Sequence, residues 1–483
     1  MKKHIILSLF FTTLLSANKY SGNYKFTYEN IDVTPNESMG LVGIGVNFDF
    51  SKYIYGGLEV YSSVKGKRGG FFTVGFDGGL RYNISKNVRF NSGLFVGAGG
   101  GGAAPQGGGL MLRPYSQIDI NIQNYNIGVG ISHIRFPNGK IKSTQEYISL
   151  ELPLSGNFLK GHRFDTIRLN GHTEIEHNLN LAIIAKHYTP KSSKNLDGTI
   201  MKPFSLMGIE VSKFYNKNIY SIFQAAGAGG GENAGYMEIF GGFGYKWNLN
   251  SLPIYLSLQT LIGAGGGGRV NSGGGLLYSV DMLVGANISK NINISASIGE
   301  IGAFNNKFKA IKYSLVLGYK IDIVDDSISK KLHTLPLSFR LLNKTYLNGK
   351  KLFKNNKDVK QINLLGFAID YYLNKNIYLT GQTFWAYKGK AGGYAEGIFG
   401  LGYKTNKWHK LSLYSEILIG VGGGGGVSID GGLFGSIGCG INYEISKDLS
   451  LITGISYARN HSKHFSTKVV NVGLEYKFSL LSK

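Results

Sequence analysis

The chain has 483 residues, 71 of them glycine and nine proline, with one cysteine and a formal charge of +23. A single cysteine excludes an intramolecular disulfide framework, and glycine at about twice its usual share comes without a collagen period. A charge of +23 on a soluble protein would point to nucleic acid. The rest of the chain reads as exported strand, which directs those cations towards anionic lipid phosphate and away from nucleic acid.

Residues 1–17 have the pattern of a signal peptide: Lys2 and Lys3, then the apolar stretch Ile5–Leu15, then Ser16-Ala17 as a small-residue cleavage point. After it, no apolar run reaches the roughly 18–20 residues of a membrane helix. The chain beyond Ala17 alternates instead with period two. Strands are expected near Tyr20–Val33, Met39–Phe50, Ile54–Ser63, Phe71–Ile84, Val88–Gly100, Gly108–Asn121, Tyr125–Phe136 and Gln145–Leu154. In Met39–Phe50 one face is Val42, Ile44, Val46, Phe48 and Phe50, and the other is Leu41, Gly43, Gly45, Asn47 and Asp49.

A glycine frame then recurs three times: GAGGGG-AAPQ-GGGL at Gly97–Leu110, GAGGGG-RVNS-GGGL at Gly263–Leu276, and GVGGGG-GVSI-DGGL at Gly420–Leu433. Registers outside the frame agree as well, with Gly244-Tyr245-Lys246 matching Gly402-Tyr403-Lys404. The chain therefore reads as an internal repeat. Units at 18–155, 179–323 and 335–483 are separated by linkers at 156–178 and 324–334, although Phe164–Ile175 could form an extra strand. Each frame ends a fifth strand and begins a sixth. Four bare residues in a row weaken a strand, so they call for a reason: tight curvature at the rim of a narrow barrel, or a smooth groove admitting a lipid chain or an extended peptide.

Turns after even strands are tight (Ser51-Lys52, Ser85-Lys86-Asn87), whereas turns after odd strands are usually longer (Val64–Gly69, Pro137–Thr144). This asymmetry marks bacterial outer-membrane barrels. The chain resembles that Gram-negative class, and its last strand, Gly473-Leu-Glu-Tyr476-Lys-Phe478, looks like the signal read by the barrel assembly machinery. The resemblance implies an all-β, transmembrane, antiparallel up-and-down fold in the outer membrane, with both termini periplasmic. Two closures are compatible with it: three eight-stranded barrels, or one of about 24 strands. Large inward residues (Leu277, Leu283, Phe434) favour three filled barrels, and the single clean assembly signal argues for one large one. The partner of Gln145–Leu154 decides between them.

Candidate chemistry is sparse. His133, Arg135 and Glu146 are similar to part of the lipid A deacylase family's His-x-Ser plus Glu pattern, but Arg135 stands where that family has its serine nucleophile. The matching residues of the third unit are Tyr457 and Arg459, and Ile298–Gly302 of the second has neither His nor Arg. Glu238 and Glu396 lie inward with Lys246 and Lys404 further along the same strands, which reads as a polar interior. His162, His172, His177, His187, His461 and His464 form no metal-ligand motif. Trp247, Trp385 and Trp408 read as membrane-interface aromatics, and Cys439 falls on the lipid-facing side.

No catalytic, cofactor-binding or metal site is expected. The basic residues Lys65, Lys67, Arg68, Lys140, Lys142, Lys388 and Lys390 lie on expected outer loops, where they could contact lipopolysaccharide phosphates. The expected role is structural or surface-interacting and non-enzymatic. The alternatives are a porin-like pore through one large barrel and a lipid A-modifying enzyme.

Overall fold

A computed structural model describes residues 19–123, 125–170, 176–249, 252–324, 328–353, 359–462 and 464–482. The expected signal peptide lies outside the described residues. The first strands are β1 (Lys19–Thr34), β2 (Glu37–Asp49), β3 (Ile54–Lys65), β4 (Phe72–Asn83), β5 (Val88–Gly100), β6 (Leu110–Ile122), β7 (Tyr125–Arg135) and β8 (Lys142–Asn157). Each pairs antiparallel with the next. β8 then returns to β1, from Tyr147 opposite Glu29 to Asn157 opposite Lys19, and closes a barrel of eight strands. That pairing excludes a single large ring.

After the short strands β9 (Leu159–Lys160) and β10 (Thr166–Asn170), the pattern recurs in β11 (Glu176–Pro190), β12 (Phe204–Phe214), β13 (Ile219–Gly230), β14 (Met237–Asn248), β15 (Ile254–Gly266), β16 (Leu276–Asn287), β17 (Ile292–Ala303) and β18 (Lys309–Val324). Here β18 pairs with β11 along its whole length. The last eight are β19 (Ile328–Leu347), β20 (Gln361–Tyr372), β21 (Ile377–Lys388), β22 (Ala395–Lys404), β23 (Leu411–Gly423), β24 (Leu433–Glu444), β25 (Leu449–Asn460) and β26 (Ser466–Ser482), and β26 closes on β19. The longer loops, and all three glycine frames, lie at one end of the barrels, called here the glycine end.

The alternation dictates which side faces in. Val470 and Val472 on β26 are exposed while Glu475 and Lys477 are buried. Around all three barrels the outward residues are large and apolar, as Ile127, Val129, Ile131, Met282, Val284, Ile437 and Ile455 show. An interior of eight strands is just wide enough for side chains to fill. Leu277, Leu283 and Phe434 are buried in it, with aromatic clusters towards the glycine end.

Charge fills the middle, and most of it is paired as burial demands. In the first barrel Arg113 donates from Nε to Glu29 at 2.7 Å, and Lys25 Nζ sits 3.0 Å from Asp77 and 3.6 Å from Glu59. In the second, Lys186 pairs with Glu238 at 2.8 Å and Lys312 with Asp281 at 2.6 Å. In the third, Lys344 pairs with Glu396 at 2.7 Å, and Arg340 with Asp370 at 2.7 Å and Glu416 at 2.8 Å. Glu29, Lys186 and Lys344 occupy one position, each opposite a leucine of the next strand. The first barrel thus places an acid where the others place a lysine, and its partner Arg113 comes from the sixth strand, whereas Glu238 and Glu396 come from the fourth.

The stretch expected as the first linker is paired, not free. Leu159 and Lys160 lie opposite Ser479 and Phe478 of β26, and β10 pairs with β19. The expected linker at 324–334 is mostly strand, since β19 already begins at Ile328. Backbone groups left over at the ends of the third barrel supply the reason, for an unpaired strand end offers hydrogen bonds that a passing segment can take up.

Candidate functional site: the glycine joints and the basic rim

The glycine frames do not simply bend their own strands. They are where one barrel meets the next. The loop after β3 lies against the frame after β15, with Gly69 N donating to Gly273 O at 2.7 Å and Ser63 Oγ to Gly274 O at 2.8 Å. The loop after β21 lies against the frame after β5, with Gly393 N donating to Gly99 O and Gln106 Nε2 to Gly392 O at 2.9 Å. The loop after β13 meets the frame after β23 through Gly235 and Gly424. First barrel to second, second to third and third to first, the third strand of each abuts the fifth and sixth of the next. This head-to-tail contact closes into a pseudo-threefold ring.

Glycine is required at its tightest points. Gly70, Gly235 and Gly393 hold φ of +86°, +89° and +87°, a left-handed conformation. A methyl carbon on each would stand 2.2 Å from Gly267 N, 2.6 Å from Gly424 N and 2.8 Å from Gly101 N of the neighbouring barrel. The contact is backbone against backbone. The expected explanation, curvature within one narrow barrel, gives way to close packing between barrels.

Trp385 also departs from expectation. It is only 8 % exposed, packed between the third and first barrels with Val74, Ala98, Leu365 and Phe367. It therefore fills a joint instead of sitting at a membrane interface. Trp247 and Trp408 do lie exposed near the opposite end, and Cys439 is exposed on the outward face of β24.

Of the basic residues, Lys65, Lys67, Lys140, Lys142, Lys388 and Lys390 are exposed at the glycine end. Lys65 and Lys67 border the joint of the first barrel with the second, and Lys388 and Lys390 that of the third with the first. Arg68 differs. It holds Glu37 with both Nε and Nη2, at 2.7 and 2.6 Å, and donates to the carbonyl of Ala103 at 2.6 Å, so its guanidinium is already spent on the fold. In the loop between β11 and β12, Asp197 accepts from the Thr199 hydroxyl and backbone, which hold its carboxyl below the usual range, and Arg269 beside it lowers it further.

The other sequence candidates separate. His133, Arg135 and Glu146 point outward, and His133 Nδ1 bonds Thr144 Oγ1 at 2.7 Å with Glu146 opposite Ile131. The hydroxyl that meets His133 is that of Thr144, on the neighbouring strand, and Arg135 stays at the position where the resembled family has its serine. Glu238 and Glu396 face their lysines and two tyrosine hydroxyls each, Tyr188 and Tyr236, and Tyr346 and Tyr394. Lys404 reaches Glu475 at 2.8 Å, whereas Lys246 lies over the Tyr255 ring. His464 pairs with Asp430, and His172 lies outside the described residues. Among the described residues no group of His, Cys, Asp and Glu could hold a metal ion.

Gly473, Tyr476 and Phe478 lie in β26 beside β19, with Phe158 packed edge-on against Phe478. The sequence gives no hint of the docking just beyond Phe158. His162 Nε2 lies within hydrogen-bond reach of Leu337 O and Ser338 Oγ, against the Tyr372 ring, at the end of the third barrel opposite its glycine frame. Burial pushes its imidazole down to about 4, against Glu475, which raises it, and Lys404 and Lys477, which lower it further. An isolated histidine in a polar linker carries no signal of this contact.

No family model matches the sequence, and no curated protein matches it. Solved barrel structures do match, at low similarity. The outer membrane protein OpdK from Pseudomonas aeruginosa is 9 % identical, with a TM-score of 0.24, covering 95 % of this chain and 98 % of that one. The ferric enterobactin receptor PfeA of the same organism is 9 % identical with a TM-score of 0.30, covering 95 % and 82 %. The de novo designed TMB2.3 is 18 % identical with a TM-score of 0.21, covering 29 % of this chain and 94 % of its own.

Proposed function

We propose that this is an integral protein of the bacterial outer membrane, non-enzymatic, in which three filled barrels act as one structural and surface-interacting body. Its glycine end would face out and its termini the periplasm. The observation that carries this reading is the inversion of polarity in every barrel: apolar side chains cover the outside while paired charges fill the inside. Only a closed barrel in lipid rewards that arrangement, because closure satisfies the backbone and leaves no edge. Transport through one wide lumen is not favoured, since each closure encloses only eight strands. The exposed lysines at the glycine end would engage lipopolysaccharide phosphates, and Gly473, Tyr476 and Phe478 would present the closing strand to the assembly machinery.

Two measurements test this. Cell fractionation should place the protein with outer-membrane markers, and the purified chain in planar bilayers should give no unitary conductance steps. Stable open steps would refute the filled-barrel reading. Neutralising Lys65, Lys67, Lys140, Lys142, Lys388 and Lys390 together should weaken lipopolysaccharide association in a salt-dependent manner, and unchanged association would remove that part of the proposal.

A further inference from the structure

At the end of each barrel away from its glycine frame, one inward position of the closing strand can be compared across all three. Glu151 lies opposite Lys25 and Asn126, Glu475 opposite Arg340 and Ser450, and Gly318 opposite Ala182 and Asn293. The first and third barrels therefore carry a carboxylate where the second carries glycine. In the third, Glu475 accepts from Lys404 Nζ at 2.8 Å, Ser338 Oγ at 2.9 Å and Asn442 Nδ2 at 2.5 Å. In the first, Glu151 accepts from Asn23 and Arg89.

The second barrel keeps the bases that such a carboxylate serves. Lys246 stands at the place of Lys404, and Lys320 at that of Lys477. Lys246 is 9 % exposed, and its Nζ lies 3.9 Å from the centre of the Tyr255 ring. Among the described residues its ammonium has neither an acid nor a hydrogen-bond acceptor, and the charge that acts on it is the like charge of Lys320. Lys320 is half-buried and donates to Asn287 Oδ1 at 2.7 Å, with Asp322 offsetting its charge in part. The deeper acids of this barrel are already held: Glu238 by Lys186, Asp281 by Lys312, and Glu210 by Gln224 Nε2 at 2.8 Å.

A buried ammonium without a counter-charge is costly, and the chain itself blocks the simplest remedy. A β-carbon on Gly318 would stand 2.6 Å from Asn293 Oδ1 and 2.7 Å from Asn180 Nδ2. Asn293 Nδ2 donates to Asn180 Oδ1 at 2.7 Å, which leaves the Asn180 Nδ2 donor turned towards Gly318. Asn180 holds the place of Asn23 and Ser338, the residues that donate to Glu151 and Glu475. The second barrel thus retains the donors of the other two and lacks only the acceptor. The chemistry that matches is a carboxylate.

We propose that the mouth of the second barrel, at the end away from its glycine frame, binds a small carboxylate against the Lys246 ammonium, with the Asn180 amide donating to it and Lys320 at the entrance. This adds a ligand to the structural role proposed above and does not depend on which end faces out. Lysine and amide supply charge-assisted hydrogen bonds to the anion, and an interior of eight strands admits a ligand only if it is small. The first and third barrels are built-in comparators, in which Glu151 and Glu475 are the carboxylate.

The test is acetate titrated into the full chain in detergent micelles, in a carboxylate-free buffer, read by NMR of lysines bearing isotope-labelled methyl groups that keep their charge. In the wild type the Lys246 and Lys320 signals, identified through Lys246→Arg and Lys320→Arg, should shift and saturate with acetate, while acetamide leaves them unmoved. Lys246→Gln should weaken the acetate response at Lys320 about tenfold while the barrels keep their heat-resistant mobility on gels. Asn180→Ser/Asn293→Ser/Gly318→Glu, which rebuilds the arrangement of the third barrel, should abolish the response, because the chain then supplies its own carboxylate. Lys246→Gln decides alone if that variant does not fold. No saturable shift in the wild type overturns the site, and an equal response to chloride overturns carboxylate recognition. Unchanged affinity in Lys246→Gln, or in the folded triple variant, overturns the assignment to these residues.

Discussion

Placing one methyl group on each joint glycine tests the packing between barrels directly. Gly70→Ala, Gly235→Ala and Gly393→Ala each force alanine into a left-handed conformation, at about 1–2 kcal/mol. Each also drives a carbon into the neighbouring backbone, at 2.2, 2.6 and 2.8 Å respectively. Ordinary contact begins near 3.4 Å, so the Gly70 joint must open by about 1 Å and the Gly393 joint by less. Overpacking of this kind costs a further 1–3 kcal/mol or so. The chain supplies its own control. Gly198 has φ of +83° and nothing within 4 Å of an added methyl carbon, so Gly198→Ala bears the backbone strain alone. Spin-label distances across each joint should lengthen in the order Gly70, Gly235, Gly393, with no change for Gly198→Ala, while the fast mobility of each folded barrel on gels is kept. Equal effects of Gly70→Ala and Gly198→Ala would refute the reasoning, because the frames would then act only through their own conformation.

Lys186→Met leaves Glu238 inside the second barrel with only neutral hydrogen-bond partners and should destabilise the fold in micelles by about 3–5 kcal/mol, with part of the loss recovered in Lys186→Met/Glu238→Gln. Trp385→Gly should loosen the third-to-first joint by about 3 kcal/mol. Adding Ala98→Val, which recreates the Gly227 and Val421 arrangement, should restore a measurable part, and strict additivity would show that the two residues do not meet. Holding the His162 imidazole near 4 instead of its ordinary 6.5 corresponds to about 3 kcal/mol of docking stability. The neutral form is the docked form, so that stability is full above pH 6.5 and falls as the pH drops towards 4. Hydrogen exchange in residues 158–165 should accelerate over that interval in the wild type and much less in His162→Phe, and a flat profile in the wild type would count against the docked geometry.

The strands were legible because period two is imposed by the backbone itself. Val42, Ile44 and Val46 alternate with Gly43, Gly45 and Asn47 whatever the barrel later does with its neighbours. Closure within eight strands was less legible, since pairing of β8 with β1 joins residues far apart in the chain. The joints were illegible for a different reason. A glycine run looks the same whether its bare backbone curves or receives another backbone, and only Gly70, Gly235 and Gly393 lying against Gly267, Gly424 and Gly101 distinguish the two. Trp385 misled for the same cause. Tryptophan near a strand end suits a lipid interface, and nothing local marks the one that faces another barrel.

Three similar barrels in one chain could in principle meet in either cyclic order. Side-chain size breaks that degeneracy. Trp385 fits opposite Ala98 and would collide with Val421, while Gly227 opposite Ala98 would leave the joint hollow. Linker length adds a second constraint, because Leu159–Lys160 and Thr166–Asn170 bind the edges of the third barrel on their way to the second. The first connection therefore ties all three barrels together only when the third is already in place. Size matching at the glycine end and strand pairing at the other end select the same order. Wherever barrels repeat within one chain, residues that differ between copies at a shared joint position carry information that the repeated residues cannot. Here Ser62, Gly227 and Trp385 are those residues.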